Sequence, residues 1–390
     1  IKKLKAKWWR IKSFCARYYY GNPSSKLKII GVTGTNGKTT TATLLYKIAT
    51  ALGYKVGLIS TVENIIVDKK RGVTHTTPDS VTLTRLFKEM VDNGCEYVFM
   101  EVSSHALDQN RVAGIKFAGG IFTNLTHDHL DYHKSLENYF NAKKKFFKML
   151  PPDAFALSNV DDEHGVMMLE DIKAKKYTYG FKNKADFNEK LETALLGNFN
   201  EYNALGVYAA TVLLGFNKEK VKEVLKKVTP PRGRFEYFTT TNGVTVVVDY
   251  AHTPDALENI FRSVKEIVQP GGRIISVFGC GGDRDPLKRR IMGKIGATLS
   301  DIAIFTSDNP RNEDEDKIIA EMKTDLTVNL AKKVKSISNR REAIKESVKL
   351  AQKGDIILCA GKGHEDYQEI KGVKYHFDDM EEYKKAYTQK

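Results

Sequence analysis

Short apolar runs alternate along this chain with longer stretches of helical periodicity. LKIIGVTG, KVGLIS, EYVFMEV and FAGGIFTN read as strands, and helices are predicted at about Lys38–Ala51, Ser80–Asn93 and Ser135–Leu150. That pattern predicts a mostly parallel sheet covered by helices on both faces. VTPPRGRF, with its paired prolines, reads as a boundary. Beyond it, FEYFTTTNGVTVVVDYA predicts a hairpin turning at Asn242-Gly243, and RIISVFG, DIAIFTS, VKSIS and DIILCAG alternate with helices. The expected organisation is a basic, aromatic helix or linker over residues 1–27, carrying Trp8 and Trp9. A central α/β domain over 28–231 and a smaller Rossmann-like α/β domain over 232–390 follow.

One helix breaks the polar–apolar rule. In SLENYFNAKKKFFKML the stripe Leu136, Tyr139, Phe140, Lys143, Phe146, Phe147 and Leu150 recurs at helical spacing, with Lys143 in its middle. Lys144, Lys145 and Lys148 fall mostly off the stripe and are expected in solvent. A buried ammonium is unfavourable, so Lys143 needs a partner, a modification or a snorkelling route to water.

Polar residues and a glycine collect at the carboxyl ends of the strands, where open parallel sheets place ligands: Glu101, Asn124, Asp249, Asp308, Asn309 and Gly361. The first strand runs into GVTGTNGKTTT and then a helix. Gly34 and Gly37 let backbone N–H groups approach phosphate oxygens, and the helix N-terminus adds partial positive charge. Lys38 supplies a point charge and Thr39 a hydroxyl for Mg²⁺. Val32 stands where the generic phosphate loop has glycine, so this is a variant, and ATP is the expected ligand.

Composition narrows the partners. The chain has 390 residues, 41% of them hydrophobic, enough for two cores. Its formal charge is +14, which suits polyanionic ligands and also describes a lysine-rich solvated surface. No nucleic-acid motif accompanies the charge, and no apolar run is long enough to span a bilayer. Four scattered cysteines, Cys15, Cys95, Cys280 and Cys359, form no C-x-x-C pair. With no apolar stretch and cleavage site after the basic N-terminus, a reducing, cytoplasmic setting is expected.

Ten motifs in one order then spell a resemblance. GTNGKTT, MEVSSHALDQNRV, TNLTHDHLDYH, NAK, GNFNEYNAL, GRFE, DYAHTPDAL, GCGGDRD, SDNPR and AGKGHEDYQ together resemble the Mur ligases, and within them the UDP-N-acetylmuramoyl-tripeptide synthetase branch. The match runs from about Tyr18 to the C-terminus. The resemblance implies an ATP-dependent, ADP-forming acid–amino-acid ligase working through an acyl phosphate, in peptidoglycan precursor synthesis. It implies that Gly34, Thr35, Asn36, Gly37, Lys38, Thr39 and Thr40 hold the ATP phosphates. Asn200 and Asn203 are implied at the adenine, although their place at the start of NEYNALGVYAA also suits helix capping. Arg234 would reach the terminal phosphate and Asp249 the ribose, so that ATP would be held between domains. Thr39 and Glu101 are implied as ligands of one Mg²⁺. Glu101, His129 and Lys143 would serve a second, with Lys143 carbamylated by CO₂. The implied catalytic set is Lys38, Glu101, His129, Lys143 and Arg234.

The resemblance also implies the substrates. Thr76, Thr77, Ser103, Gln109 and Arg111 match residues that hold the nucleotide-linked muramoyl peptide; turn chemistry is the plainer reading of the threonines and Ser103. Arg284, Asp308, Asn309, Arg311, Gly361 and Glu365 match the pocket for the incoming amino acid. Arginine in DNPR marks the relatives that take meso-diaminopimelate, whose second carboxylate a guanidinium binds bidentately. A monomer is expected. Only a short segment precedes the first strand, so the family's usual N-terminal UDP-binding domain is expected to be lacking. That keeps open a related ligase with another donor or amino acid, such as a pseudomurein-type enzyme, and more remotely a non-catalytic nucleotide-binding remnant.

Overall fold

A computed structural model describes residues 12–388; Trp8 and Trp9 lie outside the described residues. The chain divides into two compact units, residues 1–195 with 199–229, and residues 196–198 with 230–390.

The first unit is built on an eight-stranded sheet in the order β4-β3-β2-β5-β1-β6-β7-β8. Its strands are β1 (Lys28–Thr33), β2 (Val56–Ile59), β3 (Asn64–Ile66), β4 (Lys69–Arg71), β5 (Tyr97–Glu101), β6 (Phe117–Phe122), β7 (Phe155–Asn159) and β8 (Lys175–Tyr179). All neighbours pair in parallel except the β2–β3 and β3–β4 steps. The apolar runs are buried on both faces, as expected of crossover-connected strands. One core packs helices Lys38–Ala51, Asn198–Leu213 and Lys218–Leu225 on the sheet; the other packs Ser80–Asp92 and Leu136–Met149 on its opposite face.

Local chemistry fixes the helix starts. Asp79 accepts the N–H groups of Val81 and Thr82, and Ser135 accepts that of Asn138. Each such cap contributes about 1 kcal/mol. Helix Leu136–Met149 presses Phe146 onto the sheet where two strand residues are glycine. A Cβ on Gly31 or Gly120 would come within 2.5 or 2.8 Å of the Phe146 ring. Phe146 thereby seats the helix, and Lys143, one turn earlier on the same face, is carried inward near the strands' carboxyl ends.

The second unit has a six-stranded sheet ordered β13-β12-β11-β14-β10-β9 and a separate hairpin. The strands are β9 (Glu236–Thr239), β10 (Thr245–Asp249), β11 (Ile274–Phe278), β12 (Ile302–Phe305), β13 (Val334–Ser336), β14 (Ile356–Ala360), and the hairpin β15 (Tyr367–Ile370) with β16 (Val373–His376). Only the β9–β10 pair is antiparallel in the sheet, and its turn passes through Asn242 and Gly243, the latter at φ 79°. Helices Arg340–Leu350 and Asp379–Thr388 cover one face.

Three expectations change. Lys144 is buried, not solvated, because its ammonium donates to the Met167 carbonyl of the short helix Gly165–Met168. Asn200 and Asn203 do not cap their helix; it starts at Asn198, and both side chains are buried within its first two turns. The Lys143 stem does not snorkel, since the residue is only 1% exposed. The N-terminal segment behaves as a packing helix where it is described. Over residues 12–19 it is helical, with Ser13 donating to the Ala113 carbonyl (2.9 Å) and Arg17 to that of Gly114 (2.6 Å). All four cysteines are free; Cys95, Cys280 and Cys359 are buried and Cys15 is exposed. No helix among the described residues is long and apolar enough to cross a membrane.

Candidate active site

The loop after β1 is a cradle built by backbone. Gly37 at φ 83° turns the chain into the helix that starts at Lys38. A Cβ on Gly34 would collide with Thr123 Oγ1 at 1.9 Å, so only glycine lets the loop pass the end of β6. Asn124 accepts the Asn36 N–H (2.9 Å), and Thr35 accepts that of Thr126 (3.0 Å). Lys38 Nζ folds back onto the carbonyls of Gly34 (2.9 Å) and Thr35 (2.6 Å). Thr39 and Thr40 open the helix, buried. Backbone donors, a helix N-terminus and an ammonium together suit a polyphosphate.

Beside this cradle lies a small cavity of about 120 Å³ lined by Asn36, Gly37, Thr123, Asn124, Asn159, Tyr179, Phe199, Tyr202 and Asn203. Asn203 donates to Asn200 Oδ1 (3.1 Å). The mix of aromatic walls and amide groups fits a flat heteroaromatic base.

Glu101, closing β5, is 1% exposed yet bears a carboxylate. Thr39 Oγ1 donates to its Oε1 (2.9 Å), the Thr61 N–H to the same oxygen (2.7 Å), and Thr61 Oγ1 to Oε2 (3.2 Å). Hydroxyl and carboxylate oxygens at a phosphate loop are the hard donors that Mg²⁺ takes. Lys143 Nζ donates to the Gly34 carbonyl (2.6 Å) and stands 4.2 Å from the centre of the Tyr139 ring. No carboxylate forms an ion pair with it among the described residues. Burial, reinforced by the charge of Lys38, holds its amine well below the ordinary lysine value. His129, at φ 53°, sits farther out: its ring packs edge-on against His105 and Tyr139, and Nε2 lies 3.5 Å from Asp128 Oδ2. No cluster of three His, Cys, Asp or Glu side chains able to hold a metal occurs among the described residues. The direct oxygen pair is Thr39–Glu101; Lys143 shares the Gly34 carbonyl with Lys38.

A second group converges on the backbone of Glu101. Thr77, fully buried, donates to the Glu101 carbonyl (2.8 Å) and accepts the Ser103 N–H (3.0 Å). Thr76 accepts from Thr61 (3.0 Å). Ser103 does cap the helix Ser104–Asp108, accepting from Ala106 N. Arg111 grips Gln109 Oε1 through Nε (2.9 Å) and Nη2 (2.6 Å) and the Thr77 carbonyl through Nη1 (2.9 Å). Burial lowers its pKa from the usual arginine value. Thr61 and Tyr132, which donates to Asp108 (2.8 Å) beside Gln109, belong to this group and were not singled out from sequence. Neither stands in a spacing that marks it.

In the second unit, Asp249 accepts the N–H groups of Phe235 (2.8 Å) and Ala251 (2.9 Å), and burial raises its pKa. Arg234 lies over the Tyr250 ring (4.8 Å), and its Nε is buried without a hydrogen-bond partner. His364 packs at a tilt against the same ring (4.8 Å between centroids); burial, then the charges of Arg234 and Arg232, hold it down to about 4.

The ends of β12 and β14 form the remaining cluster. Asn309 donates to Glu365 Oε2 (2.8 Å) and accepts the Glu369 N–H (2.8 Å). Asp308 Oδ2 would meet a Cβ on Gly361 at 2.5 Å, and Gly361 takes φ 112° there. Burial and the neighbouring Asp308 raise the Glu365 pKa. Arg311 and Arg284 flank Gly281, whose absent Cβ would lie 3.0 Å from Arg311 Nη1 and 3.6 Å from Arg284 Cγ. Arg311 is not idle: Nη1 donates to the Gly282 carbonyl (2.8 Å) and Nε lies 3.5 Å from Glu369. Lys362, unexposed, donates to the Tyr367 carbonyl and to Asn309 Oδ1 (3.4 Å) and was missed from sequence, being one lysine among many.

Comparison with known proteins follows the same division. Residues 32–211 match the Mur ligase middle domain, and residues 233–363 the glutamate ligase domain of Mur ligases. The UDP-N-acetylmuramoyl-L-alanyl-D-glutamate–2,6-diaminopimelate ligase of Cytophaga hutchinsonii is 53% identical over 381 residues, covering 93% of this chain and 78% of its own. The ligase of the same name from Bacteroides thetaiotaomicron is 51% identical over 390 residues, covering 96% and 81%. A solved structure of a ligase of that name superposes with a TM-score of 0.68 at 34% identity, covering 93% of this chain and 78% of that one. A Mycobacterium tuberculosis folylpolyglutamate synthase shares the fold, with a TM-score of 0.70 at 17% identity over 90% and 92% of the two chains. With two family domains in order and relatives at half identity across nearly its whole length, the chain belongs to the Mur ligase family.

Proposed function

We propose that this protein joins meso-diaminopimelate to UDP-N-acetylmuramoyl-L-alanyl-D-glutamate, with ATP converted to ADP and phosphate, in the cytoplasmic synthesis of peptidoglycan precursor. The observation that carries this reading is the pairing of Arg311 and Arg284 around Gly281, next to the Asn309–Glu365 bond. Two guanidiniums and a carboxylate complement an amino-acid end that bears both carboxylate and ammonium. Relatives at half identity carry the name of this activity.

The substrate carboxylate takes the terminal phosphoryl group of ATP, giving an acyl phosphate and ADP. The amine then attacks the acyl carbon, and phosphate leaves with the bonding pair. Both partners of the first step are anionic, so fixed cations must lie along their path. Lys38 and Arg234 are assigned to the phosphates, Asp249 to the ribose, and Asn200 and Asn203 to the adenine, next to the cavity bounded by Phe199 and Tyr202. Thr76, Thr77, Ser103, Gln109 and Arg111 are assigned to the muramoyl peptide. Thr39 and Glu101 would hold one Mg²⁺, and Glu101, His129 and a carbamylated Lys143 a second; bound there, the ions would neutralise charge on the reacting oxygens. Burial supports the carbamate, because a neutral amine is the form that adds to CO₂: its lone pair bonds the carbon and one proton is released.

The test is phosphate release from ATP with the UDP-linked dipeptide and meso-diaminopimelate, each omitted in turn. Release is expected only with all three present. Equal turnover when L-lysine replaces meso-diaminopimelate would overturn the assignment of the amine.

A further inference from the structure

The two loops of the amino-acid site descend from strands that do not touch. β12 leads to Ser307–Arg311 and β14 to Gly361–Glu365, and β11 lies between them in the sheet. No ladder hydrogen bond therefore sets their spacing. Beside the direct Asn309–Glu365 and Lys362–Asn309 bonds, the gap is spanned by the side chain of Arg340, the first residue of helix Arg340–Leu350 and 0% exposed. Its Nη1 donates to the Ser307 carbonyl (3.3 Å), and its Nη2 to the Ala360 carbonyl (3.2 Å) and Cys359 Sγ (3.3 Å). The fork is closed by Asp379, also 0% exposed, which accepts from Nε and Nη2 at 2.7 Å each. Asp379 opens the helix Asp379–Thr388.

Stability alone does not explain this arrangement. Taking two full charges out of water is unfavourable, and a well-packed apolar pair of similar volume commonly serves a core as well or better. A planar guanidinium does offer what an apolar pair cannot, namely donors in a fixed fork that reach several acceptors at set angles. Those acceptors directly precede the residues that matter: Ser307 comes before Asp308 and Asn309, and Ala360 before Gly361. Across the gap Asn309 meets Glu365 at 2.8 Å, a distance that a small shift of either loop would spoil.

We propose that Arg340, fixed by Asp379, is a positioning residue that sets the distance between the Asp308–Arg311 and Gly361–Glu365 loops and thereby the fit of the amino-acid substrate. The substrate half of this statement rests on the function proposed above; the spacing half does not.

Two variants test it: Arg340→Lys, which keeps the charge but not the fork, and Arg340→Met combined with Asp379→Leu, which restores an apolar core. Backbone hydrogen exchange is read first, without substrate. Faster exchange at residues 308–311 and 361–365, with β11 still protected, is expected in both variants. Unchanged exchange in those loops would overturn the spacing role whatever the enzyme's substrate. Steady-state kinetics follow at a temperature where both variants are folded. The KM for meso-diaminopimelate is expected to rise by about tenfold or more while the KM for ATP holds, since small misplacements of substrate groups carry penalties of that order. A double variant with wild-type KM for the amino acid, or a parallel rise for ATP, would show that Arg340 is merely structural. Loosened loops in the variants, together with a wild-type protein that does not turn over meso-diaminopimelate, would retain the spacing role and reject the assigned substrate. If the double variant fails to fold, Arg340→Lys alone decides both readouts.

Discussion

At the scale of single residues, Lys143 concentrates the chemistry. It is only 1% exposed, donates to the Gly34 carbonyl, and sits on a helix seated by Phe146 against two strand glycines. Lys143→Ala is expected to abolish ligation, measured as phosphate release, while leaving the fold intact, because the truncated site no longer has to bury a polar group. Stripping CO₂ should lower wild-type activity, and bicarbonate should restore it; an alanine variant with normal turnover would remove the carbamate from the scheme. This residue was legible in the sequence because a lysine interrupted an apolar stripe of helical period. Lys144, its neighbour, was not: its burial comes from the Met167 carbonyl, contributed by a segment that no local period connects to it. Thr61, Lys362 and Arg340 were hidden for the same reason. Their partners are brought in by the folded chain and leave no trace in local spacing.

At the scale of elements, the sequence spelled out strands and helices well, since near-continuous apolar runs and N-capping residues are local signals. The expected helix at Ser80–Asn93 is found as Ser80–Asp92, and the one at Lys38–Ala51 has those bounds. What joins elements was less visible. Arg289, on the helix Leu287–Leu299, is 1% exposed and pairs with Glu313 (2.8 Å) and Glu321 (2.9 Å), tying this helix to Glu315–Lys323. The Arg289 guanidinium, helped by the Asp283 N–H, lowers Glu313 from its ordinary 4.5 to about 2. A folded pKa below the unfolded one means that this pairing stabilises fully above about pH 4.5 and is lost as the pH falls toward about 2. Glu313→Gln should therefore lower the urea midpoint at pH 7, and the gap from wild type should narrow on acidification to about pH 3. A gap that persists unchanged at low pH would indicate that packing, not charge, is what the substitution removed.

At the scale of the whole molecule, charge is the dominant feature. Sixty-two lysines and arginines face 48 aspartates and glutamates, giving +14. The proposed substrates are a triphosphate and a nucleotide-linked peptide, both strongly anionic, so the net field favours their encounter. Raising ionic strength from about 0.05 to about 0.5 M should slow ATP association several-fold and leave dissociation nearly unchanged, because exposed charges are screened within about a Debye length. Stopped-flow binding with a fluorescent ATP analogue reads both rates. A salt-insensitive association rate would assign the surplus lysines to solubility alone.

The four free thiols differ in one practical respect. Three are buried, whereas the exposed Cys15 lies on the helical segment that is bonded to the Ala113 and Gly114 carbonyls. A maleimide dye applied to the native protein should therefore mark one address without any cysteine having to be removed. Its polarisation would report whether that segment stays docked as nucleotide and peptide arrive, giving a spectroscopic view of the enzyme in its unaltered sequence.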